Sequence, residues 1–372
     1  MNFKTVPCGI HLSGHPHHDM RALAALLERH QLQHVVEQGP VGHGDAEALR
    51  CALRPEIAAQ WLPAFDTTGL SALLGLDGAQ QPDDLEKEIL IALLASPVPM
   101  VFPSVAELVA NIHMRRHISI AGRRTELDFH TTAAERPEDC WREDEDYGFV
   151  VRHGCALIDA LTKATQPDLS GHLYTFSCYR ATEYVILLGI AQELAVCNPE
   201  LLQQLQARCE RHVIRSGQFH DVFLHEYGSQ AEPIPAHFYI PGDRVWFRNP
   251  DETSSDVIGF EGSWVLYLGG GLFTNLWDRD KPYTLADKCL EIYHWRHGAY
   301  RDAEGEWQMD ESIVRRRMAE TRQHPDEFRA IIDRMMLWRA PKGIYNEGGC
   351  IDTTREGPRW ICPGTADLVL PA

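Results

Sequence analysis

One cysteine stands where a polar, extended stretch turns into a long apolar helix. Gly171-His172-Leu173-Tyr174-Thr175-Phe176-Ser177 runs directly into Cys178, and Tyr179 to Val196 carries the helical pattern. The free amides at a helix N-terminus stabilise negative charge, so a thiol placed there gives up its proton more readily. The thiolate is the form that attacks an acyl carbon, so the chemistry on offer is nucleophilic catalysis. A buried structural cysteine is the competing reading. Bases for such a thiol are available in His220, His225, Glu226 and His237, on or beside the first predicted strands, where surface or hydrogen-bonded histidines are also ordinary.

Other candidate chemistry is weaker. His11, His15, His17 and His18, with Asp19, form a cluster that could chelate zinc or copper, but Gly14 and Pro16 read as a solvated loop, and no metal site is expected. Gly269-Gly270-Gly271 lacks the Lys-Ser/Thr or dinucleotide pattern of a phosphate cradle and reads as a hairpin turn. The ten cysteines contain no C-x-x-C pair, and many sit singly in apolar or helical stretches. They read as free thiols in a reducing cytoplasm rather than as disulfides or metal ligands. No signal peptide and no apolar run of membrane-spanning length is visible, so a cytoplasmic, soluble protein is expected, with no membrane partner. The formal charge of -18, from 53 acidic and 35 basic residues, repels phosphate backbones and argues against a nucleic-acid partner. Arg315, Arg316 and Arg317 sit among acids, as on a solvated helix face.

The elements that must position Cys178 follow from periodicity and punctuation. Helices are expected over Asp19 to Gln33, with Asp19 as cap, and over Glu86 to Ala95, ended by Ser96-Pro97-Val98-Pro99. Another opens at Ser104, with Glu107 in the capping-box position. Ala156 to Ala164 and Pro199 to Arg215 read as helices on either side of the Cys178 helix. Phe219 to Leu224, His237 to Ile240, Arg244 to Arg248 and Ser263 to Leu268 read as strands of an antiparallel sheet. Thr284 to His297 is a helix capped by Thr284. Met309 to about Arg339 is helical with a break at His324-Pro325, and the chain from Pro341 reads as coil. Helices followed by a sheet make an α+β protein. The expected division is a helical N-terminal extension (1–96), a central domain (97–300) and a C-terminal helix and tail (301–372).

Ordered segments carry a resemblance. Gly171, Tyr174, Phe176 and Cys178 form G-x-x-Y-x-F-x-C. Ser104 to Leu108 reads S-V-A-E-L, and Trp141-Arg142 is followed by Gly148-Phe149. Pro241 to Pro250 reads P-G-D-R-V-W-F-R-N-P, Val265 to Gly269 reads V-L-Y-L-G, and His297-Gly298-Ala299 closes a helix. In this order, from about Pro97 to Tyr300, these segments resemble the thiol-dependent transglutaminase of spore-forming bacteria. The resemblance implies a papain-like (NlpC/P60-type) core with the nucleophile at a helix N-terminus packed on an antiparallel sheet. It also implies a reaction: the thiolate attacks a protein-bound glutamine amide, ammonia leaves, and a lysine amine takes the acyl group as an isopeptide crosslink, or water deamidates it. Protein substrates are the implied partners, with no metal or other cofactor.

At three matched positions the residues differ. Ser177 and Ser263 each stand where the family has glutamate, and Asn275 or Leu276 where it has histidine. Glu261, two residues before Ser263, would share its side of an extended segment and is the expected carboxylate. Asn275 can orient an amide but accepts no proton as a base. Cys178, Glu261 and Asn275 are therefore the expected catalytic set, with Ser177, Ser263 and Trp264 contacting substrate. Trp246, Tyr267, Trp277, Tyr293 and Trp295 read as core or as tunnel lining. Two alternatives stay open: an inactive relative that binds proteins through the cleft, and a papain-like cysteine amidase or peptidase.

Overall fold

The computed structural model describes residues 6–14, 16–41, 48–130, 134–144, 148–213, 216–341 and 348–371. At its centre two long helices, Val105–Arg124 and Cys178–Cys197, pack side by side. The second is enclosed along nearly its whole length from Ala181 to Leu194, with the polar Thr182, Glu183 and Glu193 buried among its apolar residues. Gly189 allows the close approach, since a Cβ there would lie 2.5 Å from Ile118 Cγ1 and 2.9 Å from its backbone nitrogen. Leu157–Thr165 and Pro199–Cys209 complete this helical layer.

A six-stranded antiparallel sheet lies against it, in the order Tyr283–Thr284, Leu272–Phe273, Gly262–Gly269, Arg244–Arg248, Thr354–Pro358, Leu224–Gly228. The strand Gly262–Gly269 is buried on both faces. Leu266 joins the helical core, while Val265 and Tyr267 join a second core with Val245, Phe247 and Phe273. Helices Leu285–Gly298, Glu311–Arg322 and Pro325–Met335 cover that second side. The triple glycine makes the expected hairpin turn, with positive φ at all three residues. Gly270 N–H also donates to the buried Glu88 at 2.8 Å.

The sheet departs from expectation at three places. Phe219 to Leu224 is not a strand, because Ser216–Phe223 is helical and the strand follows it. His237 to Ile240 is irregular and turns into Gly242. The C-terminal segment is not all coil, since Thr354–Pro358 inserts between two strands of the sheet. The N-terminal segment is not only helical either. Ile10–Leu12, Val36–Val41, Ala48–Leu53 and Met100–Phe102 form a separate four-stranded sheet, packed on helix Pro82–Leu94. Asp19, expected to cap its own helix, lies inside Pro16–Arg29 and accepts from the Val105 N–H at 3.3 Å, at the start of a different helix.

The cysteines are not all free thiols. Cys140 and Cys155 form a disulfide with Cα atoms 5.4 Å apart. The hairpin of Trp141–Asp144 with Gly148–Val151 brings them together, a pairing that C-x-x-C spacing does not reveal. Among the described residues no helix is long and apolar enough to cross a membrane.

Candidate active site

Ser177 caps the Cys178 helix, its Oγ accepting from Arg180 N–H at 3.4 Å. The side chain expected to touch substrate therefore serves the helix start, and it places Cys178 in the first turn. The half-buried Cys178 opens into a cavity of about 490 Å³. Phe129, Phe260, Trp277 and Trp295 give the cavity an aromatic side, with Phe129 stacked edge-on against both Phe260 and Trp277.

The sulfur meets the sheet at one backbone group. The N–H of Trp264 is directed at Cys178 Sγ, and the N–H of Tyr179 reaches it from the helix. Lys288 and Arg244 bring positive charge near. Burial nevertheless pushes the thiol above its ordinary 9.0, and these donors and charges offset it only in part. A helix N-terminus by itself favours the thiolate, but here desolvation outweighs it, and the resting sulfur carries its proton at neutral pH.

Ser263 and Asn275 line the same cavity as Cys178. Asn275 also holds the turn that follows it, donating to Lys281 O at 3.0 Å and accepting from Trp277 N–H at 3.3 Å. Leu276 is in the core, 3% exposed. Glu261 does not join them. It is exposed, accepts from Gly259 N–H at 3.3 Å, and lines a second cavity of about 420 Å³. Residue 261 is a bend before the strand begins at Gly262, so strand alternation does not carry it to the side of Ser263. The Trp264 ring also lines the second cavity, between Tyr179 and Trp246. Arg244 stacks on that ring at 4.0 Å and donates to Thr182 Oγ1 and Glu356.

The histidines offered as bases are engaged elsewhere. His220 pairs with Glu356 at 2.8 Å, His225 with Asp367 at 2.5 Å, and His237 lies 3.9 Å from Asp66. Glu226 lines the second cavity. Among the described residues no histidine lines the Cys178 cavity. His11 lies on the strand Ile10–Leu12, where burial lowers its pKa, and His15 and the side chains of His17 and His18 lie outside the described residues. Among the described residues no group of three or more His, Cys, Asp and Glu side chains is arranged to hold a metal.

Three cavity residues were not singled out from sequence. Lys288, Glu291 and Tyr283 form one cluster on the helix Leu285–Gly298 and the strand before it. Lys288 Nζ donates to Glu291 at 2.5 Å, and Tyr283 Oη donates to the same carboxylate at 2.9 Å. The available signal was K-x-x-E one turn after a capped helix start, a spacing that usually marks a surface ion pair.

Together these features define a mixed helix-and-sheet protein with a cysteine at a helix N-terminus, opening into a partly aromatic cavity. The model of the protein-glutamine gamma-glutamyltransferase family matches residues 73–347, most of the chain, and the chain belongs to that family. The match starts before Pro97 and ends beyond Tyr300, so it takes in Pro82–Leu94 and both later helices, Glu311–Arg322 and Pro325–Met335. Among solved structures, a transglutaminase from Geobacillus stearothermophilus, without its C-terminal extension, aligns at 17% identity and a TM-score of 0.41. The alignment covers 57% of this chain and 98% of that one. No curated protein sequence matches.

Proposed function

We propose that this protein transfers the acyl group of protein-bound glutamine through a Cys178 thioester, on a papain-like plan. The observation that carries the reading is the position of Cys178: in the first turn of its helix, met by the Trp264 N–H, and open to a cavity of about 490 Å³. The thiolate adds to the side-chain amide carbon and ammonia leaves. A lysine amine then takes the acyl group, or water releases glutamate. Ser263 and Asn275 supply polar contacts to the amide, and the aromatic side packs against the aliphatic stem of glutamine. The Cys140–Cys155 disulfide favours an oxidising setting over the expected cytoplasm.

The test is incorporation of a fluorescent primary amine into casein, with ammonia release measured in parallel, for the wild type and Cys178→Ala. Incorporation by the wild type that is lost in the variant supports the reading. Ammonia release without incorporation moves it to deamidation. Neither, with Cys178 inert to alkylation, leaves a binding protein that uses the same cavity.

A further inference from the structure

Lys288 is 4% exposed, yet it lines the Cys178 cavity. Lysines are rarely this buried without a partner or a task. Its partner is Glu291, and its ammonium also lies 3.7 Å from the centroid of the Tyr283 ring. The position is firmly built. A capping box between Thr284 and Asp287 fixes the first turn of the helix, and Lys288 projects from that turn. The other cavity charges are paired among themselves: Lys281 with Asp278 at 2.7 Å, Arg322 with Asp287 at 2.5 Å, and Arg315 with Glu311 at 3.3 Å. Arg244, the other cation near the sulfur, is a guanidinium and does not release a proton. Lys288 therefore combines a place in the cavity into which Cys178 opens with the capacity to give and take a proton.

We propose that Lys288, oriented by Glu291 and Tyr283, is the charge partner and proton carrier of Cys178, in the role for which sequence offered Glu261. The proton transfers rest on the acyl-transfer reading; the charge partnership does not. The Cys178 thiol first loses its proton to solvent, which leaves a thiolate facing the lysine ammonium across the cavity. Sulfur forms a bond to the amide carbon, and the carbonyl electron pair moves to oxygen. Lys288 gives a proton to the amide nitrogen, the carbon–nitrogen bond breaks, and ammonia departs with its electron pair. The lysine, now neutral, takes a proton from the amine that attacks the thioester. The carbon–sulfur pair returns to sulfur, restoring thiolate and ammonium. One isopeptide and one ammonia are formed per glutamine and lysine consumed.

The experiment compares wild type, Lys288→Met and Lys288→Arg by two readouts. One is the rate of Cys178 alkylation by iodoacetamide from pH 6 to 10; the other is amine incorporation with ammonia release. Lys288→Met is expected to slow alkylation at pH 7.5 by about tenfold, shift its profile to higher pH, and abolish turnover. Lys288→Arg keeps the charge, so alkylation stays within about twofold, but a guanidinium carries no proton and ammonia release falls by about a hundredfold or more. An unchanged alkylation profile in Lys288→Met, or full turnover in Lys288→Arg, overturns the proposal. Where Lys288→Met does not fold, Lys288→Arg decides, since it preserves the pairing with Glu291. Slowed alkylation in Lys288→Met with no turnover by the wild type keeps the charge partnership and overturns the acyl-transfer reading instead.

Discussion

The backbone N–H of Trp264 points at the sulfur of Cys178, so the sheet and the long helix meet at a donor that no side-chain substitution removes. The ring of the same residue faces the second cavity and stacks with Arg244. One residue thus serves the thiol with its main chain and the neighbouring cavity with its indole.

The thiol of Cys178 lies above its ordinary 9.0, with burial as the largest cause. Thiolate, and with it alkylation by iodoacetamide, should therefore increase with pH through neutrality and keep increasing past pH 9. A plateau below pH 8 would show that the donors around sulfur outweigh its desolvation.

The Cys140–Cys155 disulfide closes a loop of separation 15 at the base of a hairpin. Replacing both cysteines with alanine should lower unfolding free energy by about 3 kcal/mol, read as a lower urea midpoint. Mass spectrometry of the untreated protein should find the Cys140 and Cys155 peptides joined, and reduction should separate them.

Glu107 is fully buried and does not complete the capping box expected with Ser104. Its backbone N–H donates to Ser104 Oγ at 3.2 Å, but its carboxylate accepts from Ile361 N–H, Cys362 N–H and Thr365 Oγ1 at 3.0, 2.7 and 2.7 Å. Glu107→Ala strands two buried backbone donors, Ile361 N–H and Cys362 N–H, and should cost about 2–4 kcal/mol in chemical denaturation. Proteolysis near residues 361–365 should accelerate in the same variant.

Burial pushes Cys51 and Cys209 up to about 12. In the unfolded chain these thiols ionise near 9, while in the folded protein they keep their protons. The unfolded state binds fewer protons across that window, so their contribution is fully present below pH 9 and is lost as pH rises toward 12. Urea midpoints measured at pH 8 and 10.5 should fall, and Cys51→Ala with Cys209→Ala should flatten the decline.

Much of the site's frame was readable because its signals are local. The apolar run after Cys178, the Thr284 cap and the triple-glycine turn each depend on neighbours within a few positions, and each appears as expected. What was hidden depends on distant pairing. Cys140 and Cys155 become neighbours only when a hairpin closes. The strand Thr354–Pro358 reads T-R-E-G-P, with no β-branched run and a terminal proline, and is a strand because sheet edges on both sides supply its hydrogen bonds.

Site residues show the same division. Phe219 to Phe223 has the aromatic content of a strand but forms a helical turn stacked through Phe219 and Phe223. Strand alternation does not carry Glu261 to the side of Ser263, because the strand starts one residue later. Lys288 and Glu291 have the spacing of a surface ion pair. Only the strand and helix packed around them turn that pair toward a cavity.

The strand Thr354–Pro358 lies between Leu224–Gly228 and Arg244–Arg248, and Glu356 is 112 positions from its partner Arg244. During synthesis the two flanking strands therefore emerge long before the piece that joins them. Until it arrives, a slot in the middle of the sheet presents two open edges able to recruit another nascent chain. Seating this short polar segment in that slot is a high-contact-order step, of the kind that slows folding and lengthens exposure to aggregation.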